Sequence, residues 1–232
     1  MAWSNRPHRP LGCRGELRPN AVSLRFGRVQ PGNRAMSHAP FVHLRVRSCY
    51  SLLESTVRPP DLLACCRTEQ MPAVGVTDRA NLFGALDFSQ KAAGAGVQPL
   101  IGCLLPIEND ETTANGRPPV PFWVPVLVQN EQGYQNLLKL LSRAHLDSAS
   151  GAGPEISVDH LRDLAEGLIL LTGGPDGPIG QALLHGKRSV AEAWLGRLKE
   201  AFPGRLYVEL MRHGVDAEDE IEPALIELAE RL

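Results

Sequence analysis

Arginines stand at the ends of the first two predicted strands, where an α/β enzyme keeps its chemistry. Arg45 and Arg47 share one face of the first strand, and Arg79 follows the second. Barrel enzymes place their catalytic groups at such strand ends. A guanidinium is always protonated and has no lone pair for a metal ion, so these residues cannot ligate a cation. Metal-dependent hydrolysis is therefore not expected at these positions.

The same stretch offers few other candidate ligands. Glu54 and Asp78 are carboxylates near the strand ends, and His43 lies on the same strand face as the arginine pair. A lone histidine is more often a hydrogen-bonded structural residue than a ligand. Two roles stay open for the arginines. In the first, they bind an anion such as phosphate. In the second, which we favour, they form ion pairs with Glu54, Asp78 or Asp87 and fill the space at the strand ends where a metal site would lie.

Charge is divided unevenly along the 232 residues. Residues 1–35 contain seven arginines and a single acid, whereas the remainder has 17 basic and 25 acidic side chains and a net charge of −8. Such an acidic body repels a phosphate backbone, so composition alone does not indicate a nucleic-acid-binding protein. The 43 % of hydrophobic residues is enough to bury a substantial core.

Residues 1–35 are predicted to be a disordered leader, because they are rich in proline, glycine and arginine and lack apolar periodicity. Three interpretations stay open: an organellar transit peptide, a basic tail that touches nucleic acid, or a dispensable leader. We favour the dispensable leader, because Met36 begins the stretch MSHAPFVHL that leads into the first predicted strand. Met36 would therefore make a natural first residue of the protein. The folded domain is then expected to be residues 36–232.

Cysteine usage indicates a reducing compartment, and hydropathy gives no sign of a membrane-spanning segment. The five cysteines are odd in number, show no CxxC spacing and follow no secretory signal. No apolar run reaches the roughly 18 residues that span a bilayer. We therefore expect a cytoplasmic protein with no membrane partner.

From Phe41 onward, predicted strands and helices alternate. The opening βαβαβ order predicts a parallel sheet, and the alternation as a whole predicts an α/β barrel. The last helix is uncapped and its apolar pattern is unfinished, so we expect a barrel cut short at its C-terminus. The predicted strands are 41–46, 73–77, 97–105, 122–128, 168–171 and 206–210. The predicted helices are 59–69, 81–93, 131–144, 158–164, 179–184, 189–202 and 218–232.

Two local features refine this outline. The helix at 81–93 is predicted to bury a stripe of Leu82, Leu86 and Ala93, with Phe83 between. Residues 109–120 form a polar loop with an Asn-Gly pair, which predicts a hairpin tip between neighbouring strands.

The sequence of residues 41–103 resembles the PHP (polymerase and histidinol phosphatase) domain at the N-terminus of the alpha subunit of bacterial DNA polymerase III. FVHLRV, YSLLE, MPAVGVTD, NLFGAL and QPLIGC occur in the family's order and spacing. NEQGYQNLLKL and LYVELMRHG extend the resemblance over residues 40–232. It implies a distorted, seven-stranded, TIM-like PHP barrel that is incomplete at the C-terminus.

The resemblance also implies a metal centre, since metal-bound PHP relatives hold several divalent ions at the strand ends and hydrolyse phosphoesters. The first-strand His-x-His of the family falls on Arg45 and Arg47, and the histidine that follows Asp78 in the family falls on Arg79. These positions of a degenerate site have lost their nitrogen donors.

Three further ligand positions of the family are also lost. The glutamate of the third strand falls on Leu104, the next histidine on Trp123, and the cysteine of a later turn on Gly174. Only Glu54 and Asp78 keep an acidic side chain. We therefore expect no catalytic residue, no metal and no cofactor here, and a residual polar cluster at most.

On this resemblance the chain is an N-terminal piece of a DNA-directed DNA polymerase, a nucleotidyltransferase of DNA replication. It is expected to be a structural scaffold, inactive by itself, and a docking surface for the separate proofreading exonuclease subunit. Nucleotidyl transfer with Mg²⁺, and contact with DNA, are expected from domains beyond Leu232.

Alternative functions stay open. The chain could keep a residual metal-dependent phosphoesterase or 3'-5' exonuclease activity, although the absent histidines argue against it. It could belong to the error-prone paralogue of the polymerase, although NLFGAL and GYQNLLKL favour the replicative type. A stand-alone interaction module or a gene fragment is a further alternative.

Overall fold

A computed structural model of the chain describes residues 38–109, 119–147 and 153–231. The leader predicted at 1–35 lies outside these residues. The strands are β1 (His43–Val46), β2 (Ala73–Arg79), β3 (Gln98–Ile107), β4 (Phe122–Val128), β5 (Leu168–Leu171) and β6 (Leu206–Tyr207). The helices are α1 (Pro59–Thr68), α2 (Ala85–Ala95), α3 (Glu131–Leu146), α4 (Val158–Asp163), α5 (Pro178–Leu184), α6 (Arg188–Ala201) and α7 (Asp216–Ala229). A 3-10 turn covers Gly174–Asp176.

One sheet holds the six strands in sequence order. β1, β2 and β3 are parallel and are joined through α1 and α2, which confirms the predicted βαβαβ unit. β3 and β4 pair antiparallel, as the predicted hairpin requires, although its Asn-Gly tip lies outside the described residues. β4 is also antiparallel to β5, and β5 and β6 are parallel. The α/β class is therefore confirmed, with one reversed strand.

The sheet curls into a half-barrel. Five strand spacings of about 4.8 Å would separate β1 from β6 by roughly 24 Å in a flat sheet, far beyond the reach of one side chain. Yet Arg45 of β1 donates to Glu209, two residues beyond β6, at 3.0 Å. The seventh strand of the predicted, incomplete TIM-like barrel is not seen in the part of the chain that the structure describes, and the seven-stranded barrel stays a prediction.

Local sequence explains several of the helix boundaries. Asn130 caps α3 by accepting a hydrogen bond from the Gly133 N–H at 2.9 Å, and Ser157 caps α4 by accepting one from the His160 N–H. α2 ends at Gly96, which has a left-handed φ of 71°.

α2 does not bury the predicted stripe. The helix begins at Ala85 rather than near Asn81, because the side chain of Asn81 accepts the Phe83 N–H and holds a turn ahead of it. Phe88 is the large buried residue of α2. Leu86 is exposed, as is Phe83 ahead of the helix. The predicted burial of Leu86 and Ala93 is wrong, because the helix packs through Phe88 and Ala92, which lie one turn apart on another face.

β6 is shorter than the predicted strand 206–210. The Glu209 N–H donates to the Thr172 hydroxyl at 2.9 Å instead of continuing the ladder with β5. The chain thus leaves the sheet at Tyr207. This departure turns the Glu209 side chain toward Arg45.

Two apolar clusters support the sheet. The smaller one packs α1 and α2 on β2, around Leu63, Phe88 and Val74. The larger one joins β3, β4 and β5 with the later helices, around residues such as Leu137 and Phe202. None of the helices in the described ranges is long and apolar enough to cross a membrane.

Candidate functional site

A chain of alternating charges lies at the carboxyl ends of β1 and β2. We call it the charge network. It joins the three arginines that the sequence singles out to three carboxylates, at intervals of one hydrogen bond or ion pair. Its members are Arg45, Arg47, Arg79, Glu54, Asp176 and Glu209.

Arg45 forms the buried end of the network. Its Nη1 donates to Glu209 at 3.0 Å and to the Gly173 carbonyl at 3.3 Å, and it lies 3.2 Å from the Met211 sulfur. Its Nη2 reaches Asp176 at 3.3 Å. The side chains of Arg45 and Glu209 are only 10 % and 12 % exposed, so this ion pair is largely removed from water. A charge in such a place depends on its partner.

The other two arginines form the more exposed end. Arg47 donates to Glu54 at 3.0 Å and lies 3.6 Å from Asp176, which therefore bridges Arg45 and Arg47. Arg79 also donates to Glu54. These side chains are one fifth to one half exposed, so each pair contributes about 1 kcal/mol or less.

Trp123 and Leu104 stand beside Arg79. The Arg79 guanidinium lies 3.8 Å from the centre of the Trp123 ring, in a cation–π contact. Leu104 is opposite Arg79 in the register of β2 and β3 and is fully buried. An aromatic ring and an aliphatic side chain thus occupy two positions that the resemblance assigns to metal ligands.

Gly174 opens the 3-10 turn after β5, next to Arg45. Its φ is +56°, and a Cβ built there would lie 2.4 Å from the Met211 sulfur and 4.0 Å from the Arg45 Nη1. The position assigned to a cysteine ligand in the family is therefore closed to a side chain by both backbone conformation and packing.

We expect Gly174→Cys to lower the free energy of unfolding by about 1–3 kcal/mol, because a left-handed non-glycine residue is strained and Met211 must move. Urea denaturation measures the change. Adding Met211→Ala removes the clash but not the strained φ, so it should return only part of the loss. Wild-type stability for Gly174→Cys would contradict this account.

Asp78 lies next to the network but is not paired with an arginine. It is buried and accepts three hydrogen bonds of 2.7 Å, from the Ser48 N–H, the Ser48 hydroxyl and the Ser51 hydroxyl. The Ser51 hydroxyl in turn accepts the Arg79 N–H. Pairing of the arginines with Asp78 is therefore wrong for this structure, because the two serines take up its carboxylate.

The other expected partner, Asp87, lies on α2 and pairs with Lys91 one turn later. His43 also stands apart, with its ring edge-on to Phe41. Partial burial and the nearby His213 lower the pKa of His43. The described contacts thus do not join His43 and Asp78 into the expected polar cluster.

Sequence reasoning missed Asp176 and Glu209, which complete the charge balance. Asp176 follows the glycine pair after β5, and Glu209 follows β6. An acid just past each of these strand ends was the available signal. Burial raises the pKa of Glu209, and the adjacent Arg45 opposes that rise.

The residues present do not fit a metal cluster. Within the described ranges, no group of three or more His, Cys, Asp or Glu side chains is placed to hold a metal ion. Three guanidinium groups repel cations at the positions assigned to ligands. The buried Cys103 thiol is poorly suited to act as a nucleophile, because burial strongly raises its pKa.

Comparison with known proteins identifies a family and several relatives that the chain resembles. The model of the PHP domain family matches residues 43–213. The chain is 44 % identical over 194 residues to DNA polymerase III subunit alpha of Caulobacter vibrioides, and 37 % identical over 199 residues to that of Escherichia coli K12. These alignments cover 82 % and 84 % of the chain but only 16 % of each relative.

A solved structure supports the fold. A protein described as a metal-dependent phosphoesterase from Bifidobacterium adolescentis superposes with a TM-score of 0.54 over 82 % of both chains, at 11 % identity. At that identity the likeness concerns the fold alone.

Proposed function

Because the chain belongs to the PHP domain family, we propose that it serves as a metal-free PHP domain of a DNA polymerase III alpha subunit, a scaffold rather than a hydrolase. The observation that carries this proposal is the charge network. Each arginine at a ligand position has a carboxylate partner at hydrogen-bonding distance. Ion pairs would then hold together the strand ends that a metal cluster holds in metal-bound relatives.

The network is suited to a structural role. It links β1 and β2 to the loops that follow β5 and β6, which are distant in sequence. Its three cations and three anions balance, so no charge is left over to attract a phosphate. This balance favours the ion-pair role of the arginines over the anion-binding role.

Metal binding tests the proposal. We expect isothermal titration of the chain with Zn²⁺ or Mn²⁺ to show no site of stoichiometry one, because the ligand positions carry guanidinium, indole and aliphatic groups. Glu54→Gln is the matched control, because it removes the one acid that the arginines share. Stoichiometric binding that this variant loses, or EDTA-sensitive phosphoesterase or 3'-5' exonuclease activity, would overturn the metal-free scaffold.

The proposal extends to partners. The chain spans about 16 % of the length of the curated relatives it matches, so polymerase activity, Mg²⁺ and contact with DNA belong to the remainder of such a subunit. We propose the replicative rather than the error-prone type, in the cytoplasm, and docking of the proofreading exonuclease subunit on this domain. Direct binding of that subunit to the chain tests the docking.

A further inference from the structure

A cleft of about 250 Å³ lies at the start of β4, beside Trp123 and Arg79. Its other lining residues are 119–121 and 153–154. Three of these five residues are prolines, so we call the cleft the proline cleft. Of the residues that line it, only Arg79 is a member of the charge network, so the network does not account for the cleft.

Both chain segments of the proline cleft are held in place. The Asn109 side chain donates to the Val120 carbonyl at 3.1 Å. Two residues past Pro154, Ile156 forms a β-bridge with Ile107 at the end of β3. Proline also fixes part of the backbone on both segments. A cleft that is rigid before binding loses little conformational entropy when a ligand enters, which favours a binding role.

Trp123, which lines the cleft, has an unused hydrogen-bond donor. Its Nε1–H is buried and has no acceptor among the described residues. Buried polar groups in folded proteins almost always have a partner. An acceptor supplied by a ligand in the cleft accounts for this exception.

The charges around the cleft indicate a neutral ligand. Among its lining residues only Arg79 is ionisable, and this guanidinium already donates to Glu54 and stacks on the Trp123 ring at 3.8 Å. An anion would have to compete with Glu54 for Arg79, and a cation would be repelled. Burial of an unpaired charge is costly in either case.

The hydrogen-bonding groups select further among neutral ligands. The three prolines have no N–H, and the Val120 carbonyl already accepts a hydrogen bond from Asn109. The carbonyl ahead of a proline belongs to a tertiary amide, so it accepts the Trp123 N–H while its own amide has no N–H to leave unpaired. A prolyl amide therefore matches a site that offers a donor and an apolar wall.

We propose that the proline cleft binds a proline-containing segment of a partner protein, with the carbonyl ahead of a proline accepting the Trp123 Nε1–H. Proline-rich segments are extended before they bind, and they dock in grooves lined by aromatic side chains. The cleft is smaller than the roughly 300–1,000 Å³ of typical ligand pockets, so it takes one or two residues of the segment. This binding site is additional to the scaffold role proposed above.

The test uses the 232-residue chain, labelled for NMR, and a decaproline peptide as the probe. The chain has three tryptophans, at 3, 123 and 194, and the resonance that Trp123→Phe removes belongs to Trp123. We expect the Trp123 indole N–H resonance to move during titration and the other two to stay. A Gly-Ser peptide of the same length is the control ligand, because it is flexible and keeps its N–H groups. It should leave all three resonances unchanged.

Two variants test the site itself, with binding of decaproline measured by calorimetry. Trp123→Phe removes the donor but keeps an aromatic ring, so it should weaken binding by about two- to tenfold, the range of one hydrogen bond. Val120→Asp places a charge in the cleft and should weaken binding by about tenfold or more. Because Val120 is 74 % exposed, this variant should fold. Val190→Asp is the control, since it makes the same change at an exposed position on α6.

Each other outcome counts against a stated part of the inference. An unmoved Trp123 resonance, or binding that both variants keep, would overturn the site. Weakening by Val120→Asp but not by Trp123→Phe would overturn the role of the indole N–H. Equal binding of the Gly-Ser peptide would overturn the choice of a prolyl ligand.

Discussion

Replacing Arg45 by methionine should lower the free energy of unfolding by about 3–5 kcal/mol, because it leaves the Glu209 carboxylate buried without its cation. Methionine keeps much of the side-chain volume, so the loss reports charge rather than a cavity. Chemical denaturation with linear extrapolation measures it. A loss below about 1 kcal/mol, typical of a surface pair, would contradict the buried character of this pair.

A double variant is the control. Arg45→Met combined with Glu209→Met removes both charges, so it should recover most of the stability that Arg45→Met loses. If the double variant is instead as unstable as the sum of the single variants, the two residues are not coupled.

The Arg45→Met loss should depend on pH. Burial raises the pKa of Glu209, and without Arg45 that rise is unopposed. An acid with a raised pKa binds its proton more tightly in the folded state, so stability falls as pH rises from its usual pKa through the raised one. We therefore expect a smaller loss near pH 5 than near pH 8, measured by denaturation at both.

Replacing Asp78 by alanine should lower the free energy of unfolding by about 2–4 kcal/mol. The substitution leaves the Ser48 N–H and two serine hydroxyls without their acceptor in a buried place. Thermal and urea denaturation of the purified chain measure the effect. An unchanged melting temperature would show that these hydrogen bonds do not hold the loop that follows β1.

Two further variants serve as comparisons for Asp78→Ala. Asp78→Asn keeps one oxygen acceptor for the Ser48 N–H, so its loss should be intermediate. Asp87→Ala breaks an exposed ion pair with Lys91 on one helix, and it should change stability by about 0.5 kcal/mol or less. A loss for Asp87→Ala as large as that for Asp78→Ala would remove the distinction between buried and exposed acids.

The importance of Asp78 was predictable from the sequence, but its hydrogen-bond partners were not. Sequence places Asp78 at a strand end among arginines, which predicts an ion pair, and on that view too its loss would be destabilising. In the structure the carboxylate is held by Ser48 and Ser51 instead. Serines within a few residues of a strand end are too common to be singled out in advance, so the partner was not predictable.

The same limit applies to α2. Its position after β2 follows from the alternation of strands and helices, but which of its apolar side chains are buried depends on packing in the folded domain. The Phe83 N–H donates to the Asn81 side chain in a turn ahead of the helix, and Phe88 is buried whereas Phe83 and Leu86 are exposed. Leu86 and Phe88 are two residues apart, about 200° around the helix, so burial of Phe88 leaves Leu86 on the opposite face.

By itself, the sequence determines the alternation of strands and helices and the lack of ligands at the family's metal positions. Both depend on residue type and local pattern: a guanidinium cannot ligate a cation in any fold, and apolar periodicity is readable over a few residues. The identities of Arg45, Arg47 and Arg79 were therefore informative before any coordinates.

Only the tertiary structure decides what these arginines do. Arg45 meets Asp176 and Glu209, which are 131 and 164 residues away, because the sheet curls and brings the loops after β5 and β6 over the end of β1. No local pattern encodes a contact at that separation, since it depends on the curvature of six strands together. The arginine side chains are fixed by sequence, and their partners are fixed by the fold.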